Sequence, residues 1–252
     1  MRLRNLLSIT ALFIAASANA QSTVNHVGLG DREYAALNAT AALAHYKEAA
    51  DAEPGNYEAL WKAARSAVDI ASYDLTGDAQ TKMFADAELY ARRAVAANPN
   101  DAEGHFSLAR ALGKRALSLG VKQRIKYATD VRAQALDCLK LNPKHAGCLH
   151  VMGVWNAEVM RLNGFTRMIA RNLLGGQVFG SASWSEAQRY MEESVAAEPS
   201  RIVHHLDLAA IYKDRDNKAK ARAEYEAAVD LPVSEYNDRH YKAEAAVALK
   251  NL

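Results

Sequence analysis

The chain has 252 residues, half of them apolar, with 31 basic and 29 acidic residues, eight histidines, two cysteines and only five prolines. Its length allows one large domain or two small ones, and an alanine-rich composition favours a helical body whose core needs no staples. A formal charge of +2 argues against a general polyanion binder such as a nucleic-acid protein.

The first twenty residues stand apart. "MRLRN" is cationic, "LLSITALFIAA" is an apolar run of signal-peptide length, and "ANA" before Gln21 offers the small residues that signal peptidase needs. The run is too short to cross a bilayer, and no later segment is long enough either. The pattern predicts cleavage near Ala20 and a secreted or periplasmic mature protein; an uncut N-terminal anchor is the alternative. Without Arg2 and Arg4 the 31 basic residues become 29, matching the 29 acidic ones, so the mature chain is formally neutral. Residues 21–30 read as a flexible segment and 31–252 as one helical domain.

All five prolines close similar phrases: "DAEPGNY" (51–57), "VAANPND" (95–101), "KLNPKHA" (140–146), "VAAEPSR" (195–201) and "VDLPVSE" (229–235). Ala42, Tyr46 and Ala49 stand 12, 8 and 5 residues before Pro54. The same offsets select Ala87, Ala91 and Ala94 before Pro99, Val131, Ala135 and Cys138 before Pro143, and Ala187, Met191 and Ser194 before Pro199. Before Pro232 the set is shifted by one, to Ala221, Tyr225 and Ala228. Steps of four and three put each trio on one helix face, where small residues let a neighbour approach. Proline then ends the helix, because it lacks an N–H and drives the preceding residue out of helical angles.

A second helical pattern follows four of the stops: Leu60, Ala63, Ala64 and Ala67; Leu108, Ala109 and Leu112; Leu149, Met152, Gly153 and Asn156; Leu208, Ala209 and Tyr212. These are the positions where the first helix of a tetratricopeptide repeat carries its large, large, small and aromatic residues. Proline intervals of 45, 44, 56 and 33 make the middle units longer than the usual repeat. The expected fold is therefore all-α, a tetratricopeptide-like right-handed α-solenoid of about four and a half extended, irregular repeats. The longest interval holds an insertion whose Leu162, Phe165, Ile169 and Leu173 share one helical face, ended by Gly175 and Gly176, with Ser183 or Ser185 as the next cap. Such a segment serves as a cover over exposed core, or as a lid or membrane-contacting helix.

No catalytic motif is present: there is no HExxH, no phosphate loop, and "GSASW" lacks the spacing of a nucleophile elbow. His204 and His205 are neighbours on a helix, so their side chains diverge and cannot share a metal. Cys138 and Cys148 lie symmetrically about Pro143, and an exported chain meets oxidising conditions. A disulfide, free buried thiols and a metal site recruiting His145 and His150 are the three states open to them; no recognised zinc spacing is present.

The inner wall of such a solenoid is made mainly by the first helix of each repeat. Counting from 57 and 102, the fifth and ninth positions are Trp61 and Arg65, then Phe106 and Arg110, with Lys114 one turn on. An aromatic and a cation in two successive repeats suit a peptide carboxylate or another acidic ligand. The same arginines fit ion pairs with adjacent helices equally well, and Trp61 fits simple packing. Lys114, Arg115, Lys122, Arg124 and Lys126, with Arg161, Arg167 and Arg171, outline either a basic surface or a solvated helix face broken at "SLG" (118–120).

Five stretches carry a family resemblance: "EALWKAARSAVDIA" (58–71), "KQRIKYATDVRAQALDCLKLNPKHAGCLHVMGVWNAEV" (122–159), "RMIARNLLG" (167–175), "SWSEAQRYMEESVAAEPS" (183–200) and the tail "AAVDLPVSEYNDRHYKAEAAVALKNL". "MGVWNAEV" and the arginine helix after it are the most specific, since generic repeats lack both. In these the chain resembles the regulator of microtubule dynamics family, as an exported, bacterial-type member. The resemblance implies a tetratricopeptide-type architecture and a non-catalytic, partner-holding character.

The functional expectation is a non-enzymatic, exported scaffold or adaptor that binds a protein or peptide in the concave groove through an acidic group or C-terminal carboxylate. It needs no cofactor or metal and has no nucleic-acid partner. The alternative is a small-ligand-binding transport accessory protein with a pocket between the long helices near Trp155 and the insertion.

Overall fold

A computed structural model of the chain describes residues 24–117, 119–164, 167–168 and 176–252. Among them, eleven α-helices run almost entirely as hairpins. Helix α1 (His26–Ala35) pairs with α2 (Ala39–Ala52), α3 (Tyr57–Tyr73) with α4 (Gly77–Ala97), and α5 (Ala102–Leu117) with α6 (Val121–Leu141). Helix α7 (Ala146–Arg161) pairs with α8 (Trp184–Ala197) across the insertion, whose last part is a 3-10 turn (Gly176–Ser181). Helices α9 (Ile202–Asp214) and α10 (Lys218–Asp230) form the last hairpin, and α11 (Asp238–Lys250) closes the array. This is the expected all-α, tetratricopeptide-like solenoid.

The five prolines do what their spacing predicts. Each follows directly on a helix C-cap, Glu53, Asn98, Asn142, Glu198 or Leu231, whose backbone has left the helical region. All fifteen residues of the trios before them are buried, and so is the set Leu60, Ala63, Ala64, Ala67 on α3 with its counterparts on α5, α7 and α9. Glycine supports one of the closest contacts: a Cβ at Gly153 would stand 2.9 Å from the end of the Met191 side chain of α8. The middle units are longer, as the intervals require, with α4 and α6 at 21 residues each against 13 for α9 and α10.

One boundary and the repeat count differ from the sequence reading. The helical body starts at His26, inside the stretch 21–30 expected to be flexible, because the Asn25 side chain accepts from Gly28 N and caps α1. Helix α1 is then held from two sides: Tyr46 Oη donates to Asp31 at 2.8 Å, and Lys62 Nζ lies 2.7 Å from the other oxygen of that carboxylate. There are consequently five hairpins and a closing helix among the described residues, more than the four and a half repeats expected.

The predicted signal peptide lies outside the described residues, as do Phe165, Ile169, Leu173, Gly175 and Arg171 of the insertion. Its exit is described. Ser183 caps α8 by accepting from Glu186 N, its backbone N–H donates to Asn156 Oδ1, and Phe179 is buried in a stack on Trp155. The indole N–H of Trp155 is spent on Ala128 O at 2.7 Å, so the ring expected beside a small-ligand pocket is packed against Phe179 and α6. No helix among the described residues is long and apolar enough to cross a membrane.

Candidate functional site

The first helices of successive hairpins lie side by side, and one tyrosine sets the register between α3 and α5. Tyr57 Oη donates to Asp101 Oδ1 at 2.7 Å and accepts from Gly104 N at 2.8 Å, which ties the start of α3 to the start of α5. With that register Trp61, Arg65 and Phe106 reach one cleft of about 330 Å³, together with His145, Arg201 and Glu235. Three of the five residues chosen from sequence are thus brought together.

The cleft residues are held by their neighbours. The Arg65 guanidinium lies 3.6 Å from the Tyr34 ring centre and 5.1 Å from that of Trp61, a cation between two aromatic faces. Phe106 packs against the His145 ring at 5.0 Å, and a Cβ on Gly147 would meet the Phe106 ring at 2.5 Å, so only glycine lets it sit there. His145 in turn caps α7, its Nδ1 accepting from Cys148 N at 3.2 Å. The cleft wall therefore depends on the turn that Pro143 initiates.

Cys138 and Cys148 are joined in a disulfide across that turn, with Cα atoms 6.4 Å apart, which is the first of the three states considered for them. His145 lies beside the two sulfurs, but His150 does not join them. Its Nε2 lies 2.7 Å from Asp207 and its ring stacks on His204. Burial, first, and the neighbouring His150 hold His204 well below the usual histidine range.

Arg110 and Lys114 are not among the cleft's lining residues. Arg110 donates to Asp69 Oδ1 at 2.6 Å, and Asp69, itself buried, also accepts from Tyr34 Oη at 2.7 Å. Burial works against the Arg110 charge, but Asp69, Tyr241 and Tyr34 outweigh it and hold the guanidinium more firmly charged than usual. Burial and the Arg110 charge push Lys114 down. The ninth position of the second repeat thus pairs with a carboxylate of the chain, the alternative that the sequence left open for it. Within the basic set, Arg115 pairs with Glu88, and Arg161 with Asp214 and Glu158.

What closes the wall is the tail, whose role the sequence reading missed. Asp238, buried, accepts from Ser234 N at 2.8 Å and Glu235 N at 2.7 Å, which folds 234–238 into a tight turn. That turn reaches back to α3, where Asn237 Nδ2 donates to Asp69 O and Tyr236 Oη to Asp74. Tyr73 stacks on His240 with centroids 4.3 Å apart and donates to Glu244 at 2.7 Å. The same turn presents Glu235 to Arg201. Burial raises the Glu235 carboxyl above its ordinary range, while Arg201, Arg110 and Arg65 pull the other way. Aromatic and polar residues outside the core spacing of "SEYND" were the available signal.

The comparisons agree with this architecture. A thermophilic TPR protein of Thermus thermophilus superposes with a TM-score of 0.61 over 88% of this chain and 98% of that one, at 20% identity, which shows the fold. The regulator of microtubule dynamics protein 1 of Bos taurus is 29% identical over 212 residues, 83% of this chain and 65% of the relative. Its Homo sapiens counterpart is 28% identical over 194 residues, 76% of this chain and 61% of the relative. The chain thus spans less than two thirds of these relatives. The family model described as "Regulator of microtubule dynamics protein 1-3" matches residues 30–252, and the chain belongs to that family.

Proposed function

We propose that this protein is a non-catalytic scaffold or adaptor, exported by its N-terminal leader to the periplasm or beyond the cell, that holds a protein or peptide by an acidic group. The carrying observation is the cleft's own occupant. The chain lays the Glu235 carboxylate against Arg201, in the field of Arg110 and Arg65, beside the faces of Trp61 and Phe106. Two guanidinium groups next to two aromatic faces suit a carboxylate attached to an apolar neighbour, whether a side chain or a C-terminus. The bonded pair Cys138–Cys148 suits an oxidising compartment and supports export. The relatives are named for microtubule dynamics; what we carry over from them is the partner-holding solenoid.

Fluorescence anisotropy with labelled Asp- and Glu-containing peptides, against their Asn and Gln counterparts, tests the reading. Acidic peptides are expected to bind, and R65A together with R201A to weaken them about tenfold or more, ~1.4 kcal/mol. E235Q removes the internal competitor and is expected to tighten binding. Equal affinity for neutral peptides, or no change in the double variant, would remove the site.

A further inference from the structure

A second cluster lies on the hairpin α1–α2, among residues that do not line the cleft. His45 and Glu48 are three residues apart on α2, hence on one face, and the antiparallel hairpin lays the first residue of α1, His26, beside them. Gly30 permits the approach, since a Cβ there would stand 2.5 Å from the Tyr46 ring. His26 Nδ1 is 2.7 Å and His45 Nδ1 3.4 Å from Glu48 Oε2, and the two nitrogens are 3.5 Å apart.

From these distances we infer that His26, His45 and Glu48 form a binding site for a divalent transition metal of the zinc type. Around a tetrahedral zinc with bonds of about 2.0–2.2 Å, ligand atoms are separated by about 3.3–3.5 Å. Two of the three edges already match that figure, and the short one lengthens by a small rotation of Glu48, whose side chain is 57% exposed. Hydrogen bonding alone satisfies the trio poorly. If both rings donate from Nδ1 to the carboxylate, two N–H groups face one another; if one ring accepts, it gives up its bond to Glu48. A cation takes a lone pair from each of the three atoms. Two imidazoles and a carboxylate are a donor set for zinc, and imidazole nitrogen disfavours magnesium and calcium. Side-chain exposures of 27% and 29% at His26 and His45 leave room for a fourth donor from water or a partner. In the cluster Cys138, His145 and Cys148 the disulfide keeps the cysteines from competing as thiolates.

The test is calorimetric titration of zinc chloride into the full protein, freed of any histidine tag, with magnesium chloride as control. One zinc per chain at micromolar or tighter affinity is expected, weakened about 10- to 100-fold by H45A and by E48Q. E48Q keeps the size and an acceptor oxygen, and metal-free thermal unfolding verifies that both variants fold. Absence of zinc binding below millimolar concentrations, or equal binding by the H26A/H45A double variant, overturns the assignment.

Discussion

The outer seam and the inner wall of this solenoid are built on opposite terms. Along the seam each second helix packs through three mostly small residues, such as Ala87, Ala91 and Ala94, set by spacing from the proline that ends the same helix. Along the inner wall the residues are charged and aromatic, and their partners lie far away in sequence: Asp69 meets Arg110, and Asp69 and Asp74 meet Asn237 and Tyr236. A seam made of near neighbours repeats faithfully. A wall completed by a returning tail does not repeat, so Arg65 and Arg110, equivalent in their repeats, have different surroundings.

The sharpest way to break the contrast is at Arg110. Its loss leaves Asp69 buried and uncompensated, so R110A is expected to cost about 3–5 kcal/mol in urea unfolding. R65A, which removes a stacked cation at the edge of the cleft, is expected to cost about 1 kcal/mol or less. Equal costs would mean that the two ninth positions are equivalent after all. Opening the seam's covalent link is the next effect in size. Converting Cys138 and Cys148 to serine reopens the loop across Pro143 and is expected to cost about 2–3 kcal/mol, with weaker peptide binding because His145 and Phe106 lose their support.

The smallest effect concerns a histidine at the last hairpin. His205 donates from Nε2 to Pro199 O and from Nδ1 to Glu224, and the Glu224 hydrogen bond raises its pKa above the ordinary 6.5. A histidine with a raised folded value contributes stability that is fully present below 6.5 and lost as pH rises through the folded value. The excess of the parent's unfolding free energy over that of E224Q, measured from pH 6 to 9, should therefore shrink as the pH rises.

Much of this was readable in advance. The five proline stops, the fifteen seam residues, a serine cap at 183 or 185 and the nearness of the two cysteines follow from local spacing. The histidines were not readable: His105 and His205 both bind the carbonyl of the proline six residues before them, yet they look scattered along the chain. Nor was the metal trio, because His26 reaches His45 and Glu48 only once α1 folds back.

The amino-acid order alone determined where the second helix of each hairpin ends and which face it buries, because proline chemistry and a period of 3.6 act within a single helical unit. The tertiary structure decided which inner-wall cations stay open, because that depends on where a tail more than 160 residues from Asp69 turns, and on the amide and the carboxylate it carries to Asp69 and Arg201. Burial sets the cost of a charge only after distant segments have met, and no local pattern encodes that meeting.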